Sequence, residues 1–230
     1  EFKTSKSDIV TEADYRAERI ITTAIENEFP DHNVRSEEIV QREHGSRYAW
    51  LIDPLDGTGN FAHGNPNYSV SIALLEDGVP IVGVVYAPET DEMFHAVAGG
   101  GAYQNGNLIE TTTRDRLDES MLLSGYDPDG GFLQAFYQET QGVRRLGSAA
   151  LHLAYVAAGS ADALWEYDTR PWDVAAGLCL LREVGGQATD QHGTEYELLL
   201  EADETVRTPM LASNGLLHDQ LVENLNAADV

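Results

Sequence analysis

Apolar and polar positions follow two different rhythms along this chain. Apolar residues fall in short runs over Tyr48 to Asp53, Tyr68 to Leu75, Ile81 to Tyr86 and Glu92 to Val97, broken by Glu76-Asp77-Gly78 and Pro88-Glu89-Thr90 and followed by Asn105-Gly106. Strands separated by such closely spaced turns predict an antiparallel sheet. Ahead of it, Ile20, Ile21, Ala24 and Ile25 recur at helical spacing, with Thr11 as the expected N-cap and Asp14 completing a capping box. Phe29-Pro30-Asp31 ends that helix, Asn33 to Glu38 reads as a short strand, and Gln41 to Ser46 as a loop.

Beyond a polar connector, Thr111 to Glu119, the rhythm changes to alternating strands and helices. Strands are expected at Met121 to Ser124, Val143 to Leu146, Ala163 to Tyr167 and Met210 to Ser213. Helices are expected at Phe132 to Thr140, Ser148 to Ala158, from Pro171 through Ala175, Leu178 and Leu181 to Gly185-Gly186, and at Leu216 to Leu225. The pattern divides the chain into an α+β half, residues 1–118, and an α/β half, residues 119–230, with no internal repeat. With 230 residues, 42% of them hydrophobic, these form one large domain or two intimately packed halves.

Composition narrows the classes. No run approaches the roughly 18 apolar residues of a membrane span, and Glu1 to Asp8 does not resemble a signal peptide, so a cytoplasmic location is expected. Cys179 is the single cysteine, which excludes an internal disulfide and argues against zinc. It falls on the apolar face of its helix, so a packing role is expected for it. The 39 acidic against 14 basic residues leave a net charge of −25, which makes nucleic acid an unsuitable partner. Lys3 and Lys6 are the only lysines, and the acidic excess is spread along the chain. Molar salt screens such a surface, so a halophilic archaeon is the expected source.

The chemistry centres on Trp50 to Phe61, WLIDPLDGTGNF. Trp50, Leu51 and Ile52 suit a buried strand, and Asp53 follows where a carboxylate is costly to bury without a cation. Pro54 is expected to end the ladder, Asp56-Gly57 to turn, and Gly57, Thr58 and Gly59 to leave N–H groups open to an anion. Asp-Pro and Asp-Gly also mark ordinary turns. Carboxylates beside phosphate donors nonetheless fit magnesium, which bridges oxygen ligands to phosphates. The register does not fit an EF-hand loop, and a Walker Gly-Lys-Ser/Thr is absent. Gly147-Ser148-Ala149 precedes an Ala-rich helix whose N-terminus could meet a negative or hydroxylated ligand, and Asp173 falls in the first turn of the Pro171 helix.

Taken together, Ser36-Glu37-Glu38, the DPLDGT run from Asp53 and the PWDVAAG run from Pro171 resemble the inositol monophosphatase family, within the lithium-sensitive, magnesium-dependent phosphatase superfamily. The resemblance runs through nearly the whole chain in order. It implies a layered α/β/α/β/α sandwich, antiparallel in the first half and mixed in the second, and a homodimer. It also implies that Glu37, Asp53, Asp56 and Asp173, with the Leu55 carbonyl, hold two to three Mg2+ ions, and that Gly57 and Thr58 bind phosphate. Asp14 and Thr58 would activate the attacking water, with Glu37 catalytic beside them. Lys3 would lie near a third metal, and Gly147, Ser148, Ala149 and Glu166 would face the polyol, with Asp173 contributing to both sites.

Three departures stand out: the family's first helix is absent, so one is expected to precede Glu1; Ser36 stands where glycine is frequent; His152 stands where Asn or Asp is usual. The expected activity is hydrolysis of inositol 1-phosphate and besides it of fructose 1,6-bisphosphate. A nucleotidase acting on adenosine 3′,5′-bisphosphate is the enzymatic alternative. Glu166 and the short Tyr126 to Gly131 segment favour a small polyol, since a nucleotide would want an added aromatic or basic shelf. A non-catalytic metal-binding partner module is the third reading, against which the full carboxylate set speaks.

Overall fold

The computed structural model describes residues 11–200 and 208–228. Lys3, placed near a third metal by the family resemblance, lies outside the described residues. Helix α1 (Glu12–Glu28) begins as the capping pattern predicts: Thr11 Oγ1 accepts from the Ala13 N–H at 3.1 Å, and Asp14 Oδ2 accepts from the Thr11 N–H at 2.9 Å. Its buried stripe is mostly polar, Asp14, Glu18 and Thr22 preceding Ile25.

Strands β1 (Asn33–Ser36), β2 (Gln41–Arg42) and β3 (Tyr48–Asp56) follow, then helix α2 (Thr58–Ala62) and strands β4 (Ser69–Glu76), β5 (Val79–Ala87), β6 (Glu92–Val97), β7 (Ala102–Gln104) and β8 (Asn107–Leu108). They form one sheet in the order β2-β1-β3-β4-β5-β6-β7-β8, antiparallel except for the parallel pair β1 and β3. Three local expectations are corrected here. Residues 41 and 42, read as loop, add an edge strand that borrows its conformation from β1. Pro54 does not end β3: the register shifts between Asp53 and Asp56, so the residue without an N–H sits in an irregularity and the ladder resumes at Asp56 opposite Ser69. The turn at Gly57, φ +91°, leads into a short helix.

The second half contributes β9 (Met121–Ser124), α3 (Gly131–Phe136), β10 (Gly142–Arg144), α4 (Ala149–Ala157), β11 (Ala163–Glu166), α5 (Pro171–Glu183), β12 (Gln187–Thr189), β13 (Met210–Ser213) and α6 (His218–Ala228). Their sheet runs β10-β9-β11-β13-β12, parallel across β10, β9 and β11 and antiparallel at β13. Helix α3 stops short of Thr140 because the Glu139 N–H reaches the Phe136 carbonyl in a tighter turn and the Thr140 hydroxyl takes the same carbonyl. Strand β12 had no apolar rhythm to announce it.

Alternation sorts the first sheet into two faces. Val34, Ile52 and Ile72 pack under α1, while Leu51, Leu75, Val85 and Phe94 pack against Ala150, Leu151, Ala176 and Leu180 of α4 and α5. These two helices also pack on the second sheet, whose far face is covered by α3 and α6. The layers are therefore α/β/α/β/α. Contact is close where α5 crosses β5: a Cβ at Gly83 would lie 2.4 Å from the Ala176 carbonyl oxygen. One core joins residues from both sides of position 118. Among the described residues no helix is long and apolar enough to cross a membrane.

Candidate active site

The acidic residues gather where β3 leaves the first sheet and α5 begins. Burial comes first and the charges of Glu37, Asp56 and Asp173 next in holding the Asp53 carboxyl well above its ordinary value. Asp173, at the third position of α5, is raised in the same way by burial and then by Asp56 and Glu37, although its Oδ2 accepts from the Arg170 N–H at 3.2 Å. Asp56 is pushed up to about 6 by burial, opposed by the Ser148 hydroxyl at 2.6 Å and the Ala150 N–H at 2.7 Å that both donate to its Oδ2. Asp53 Oδ1 accepts from the Leu55 N–H at 2.9 Å, and its carboxyl is hydrogen-bonded to Glu37. Their like charges make Asp53 and Asp173 hold protons more tightly, and among the described residues no three of these groups form a ligand shell. Like charges brought together around the buried Asp53, with oxygen-only donors, fit a hard divalent cation, which would relieve the repulsion.

Asp14 and Thr58 meet across 44 positions of chain. Thr58 Oγ1 lies 3.0 Å from Asp14 Oδ1 and 2.9 Å from the Leu55 carbonyl, so one hydroxyl proton has two acceptors. The other carboxylate oxygen of Asp14 is held by the Thr11 hydroxyl at 2.5 Å and the Thr11 N–H. Capping and contact with Thr58 are thus not rival readings of Asp14; each uses its own oxygen.

The positions expected to face a polyol divide. Gly147 is exposed at φ +88° and Ala149 half-buried, but the Ser148 side chain is buried, caps α4 through the Leu151 N–H and bonds Asp56. The N-terminus of α4 is therefore filled by the Asp56 carboxylate and is not open to an anion. Glu166 is 4% exposed at the end of β11, 2.7 Å from His152 Nδ1, and its charge is felt by Asp56 and Asp173.

Sequence reading missed several supports. Asn60 on α2 donates to the Leu146 and Asn67 carbonyls at 2.7 and 2.5 Å, tying the Gly57 turn to the Gly147 turn. Ser69 and Ser71, on the inner face of β4, reach the Ser148 hydroxyl and the Trp172 carbonyl at 3.2 and 2.9 Å. Glu18, buried on α1, accepts from the Ile39 and Val40 N–H groups at 2.9 and 3.0 Å and so fixes the turn after Glu37. Its one signal was a carboxylate four positions after Asp14 on the inward stripe.

Comparison with known proteins agrees with this geometry. The profile of the inositol monophosphatase family matches residues 1–229. The chain is 42% identical to a fructose-1,6-bisphosphatase/inositol-1-monophosphatase of Thermotoga maritima, over 98% of this chain and 86% of that one. It is 42% identical to an inositol-1-monophosphatase of Synechocystis, over 96% and 77%. The solved structure of a Thermotoga maritima IMPase superposes with a TM-score of 0.90 at 40% identity, covering 98% of this chain and 86% of that one.

Proposed function

The chain belongs to the inositol monophosphatase family of phosphoric monoester hydrolases, and from that premise we propose that it hydrolyses inositol 1-phosphate with magnesium and, more slowly, fructose 1,6-bisphosphate. The observation that carries the reading is the set of carboxylates Asp53, Asp56 and Asp173 beside Glu37, Asp53 buried and the other three half-buried, with Asp53, Asp56 and Asp173 all raised above their ordinary values. These four and the Leu55 carbonyl would hold two to three Mg2+ ions. Bound there, the metal supplies positive charge against the phosphoryl group and acidity to the attacking water.

The chain's own residues do the rest. Gly57 and Thr58 offer N–H groups to the phosphate, in a turn where only glycine fits, since a Cβ at 57 would meet the Asn67 carbonyl oxygen at 2.9 Å. Thr58 Oγ1 lies within reach of both Asp14 Oδ1 and the Leu55 carbonyl; donating its proton to Asp14, it would keep a lone pair to accept from water. Asp14 is then the proton acceptor of the pair. Glu166 offers an acceptor to the alcohol and favours a hydroxyl over a second phosphate, which is why fructose 1,6-bisphosphate ranks below inositol 1-phosphate. The reading also includes lithium sensitivity and a homodimer, both carried over from the family resemblance. It places the protein in a cytoplasm of high ionic strength, which the net charge of −25 supports.

The test is phosphate release from inositol 1-phosphate, fructose 1,6-bisphosphate and adenosine 3′,5′-bisphosphate with magnesium in molar KCl, beside calorimetric titration of Mg2+ into native and Asp53→Asn protein. Inositol 1-phosphate should be hydrolysed fastest, and Asp53→Asn should lose both magnesium affinity and turnover. A preference for the nucleotide would move the substrate to the nucleotidase alternative, and unchanged Mg2+ binding in Asp53→Asn would overturn the metal assignment.

A further inference from the structure

His152 is fully buried in α4 and bridges the Leu146 backbone and Glu166. The Leu146 N–H donates to its Nε2 at 3.1 Å, so that nitrogen carries no proton and Nδ1 does. Nδ1–H then donates to Glu166 Oε1 at 2.7 Å. On the other side the Tyr126 N–H donates to Glu166 Oε2 at 3.2 Å. The pocket for this carboxylate exists only because residue 125 is glycine: a Cβ there would fall 1.5 Å from Oε2, although the backbone at 125 is not in the left-handed region. Leu146, whose N–H fixes the histidine, is itself anchored on its other side, its carbonyl accepting from Asn60 of α2 at 2.7 Å. Thus Glu166 is fixed from two sides, and through Leu146 it is referenced to the Gly57 turn.

A carboxylate held by two donors has only acceptor capacity left, so what completes it must donate. We infer that His152, fixed in its Nδ1–H form by Leu146, is a positioning residue that aims Glu166 at a hydroxyl of the leaving alcohol and so sets a preference for polyol phosphates over esters without hydroxyls. The inference rests on the phosphomonoesterase reading. An asparagine at 152 keeps a donor where Nδ1 lies and loses the Leu146 bond; a glutamine keeps an acceptor where Nε2 lies and loses the donor to Glu166. The two variants therefore separate a role through Glu166 from a merely structural role at the 146–148 turn.

Steady-state kinetics should be measured for native protein, His152→Asn, His152→Gln and Gly125→Ala with inositol 1-phosphate and with 4-nitrophenyl phosphate, which has no hydroxyl on its leaving group. His152→Gln should raise KM for inositol 1-phosphate on the order of tenfold with little change in kcat, and leave 4-nitrophenyl phosphate unaffected. His152→Asn should behave much like native protein. Gly125→Ala, which displaces Glu166 without touching His152, should reproduce the His152→Gln pattern and carries the test if the glutamine variant does not fold. Equal losses with both substrates, or a His152→Asn variant as impaired as His152→Gln, would overturn the inference. Native protein that released phosphate from neither ester would overturn the phosphatase reading beneath it.

Discussion

Asp14 shows how one side chain can carry two arguments at once. Its Oδ2 closes the capping box of α1 and its Oδ1 faces Thr58, so its removal should cost both stability and rate. Asp14→Asn and Thr58→Ala should each lower turnover on the order of 10² to 10⁴-fold at saturating magnesium, and the double variant little further, because the proposed mechanism puts both on one proton path. Only Asp14→Asn should also lower stability, by about 1 kcal/mol. Small, additive rate losses would remove the pair from the mechanism. The acids make a second prediction. Asp53 and Asp173 sit well above their ordinary values and Asp56 near 6 against an ordinary 3.8, so each binds its proton more tightly folded than unfolded. Metal-free protein should therefore lose stability as pH rises from about 4 through 6 and beyond, and magnesium, competing with those protons, should stabilise more at pH 8 than at pH 5. Melting curves in EDTA and in saturating magnesium at both pH values check this; an increment independent of pH would contradict it.

Among the elements, the turn after β1 depends on a residue of another element. Glu18→Ala would leave the Ile39 and Val40 N–H groups without their partner, at a cost of about 1 kcal/mol, and would loosen Glu37. The expected result is a higher half-saturating magnesium concentration, partly restored in Glu18→Gln, which keeps one acceptor; native-like magnesium binding in Glu18→Ala would show that Glu37 is held otherwise. The elements that sequence revealed were those carrying their own signals: α1 by its capping box, α5 by Pro171 at its first turn, β3 by its apolar run into Asp53. Strands β2 and β8, two residues each, have no period to read and exist because β1 and β7 lie beside them. Helix α2 stayed hidden because a glycine at positive φ serves a turn and a helix entry equally. The candidate site follows the same rule. Its carboxylates stand out at strand and helix ends, whereas Asn60 takes its role from Leu146, 86 positions away, and Gly125 from a glutamate on the next strand of its sheet.

At the scale of the whole molecule, charge sets the working conditions. Ion pairs such as Arg47 with Asp77 and Arg116 with Asp118 are exposed and offset little of the −25 charge. On the proposed adaptation to high salt, dissolved ions do that screening, and the melting temperature should rise between dilute buffer and molar KCl; a flat or falling trend would refute that adaptation. The shared middle layer has a different consequence, one of timing. The strands of the first sheet leave the ribosome before α4 and α5, yet Leu51, Leu75, Val85 and Phe94 lie against those later helices. A nascent chain halted in the 111–119 connector would thus present a finished sheet with one bare apolar face, a substrate for chaperones or for aggregation. Expressed alone, residues 1–118 should be insoluble, and co-expression of residues 119–230 should rescue them, the two pieces reassembling as halves of a single core.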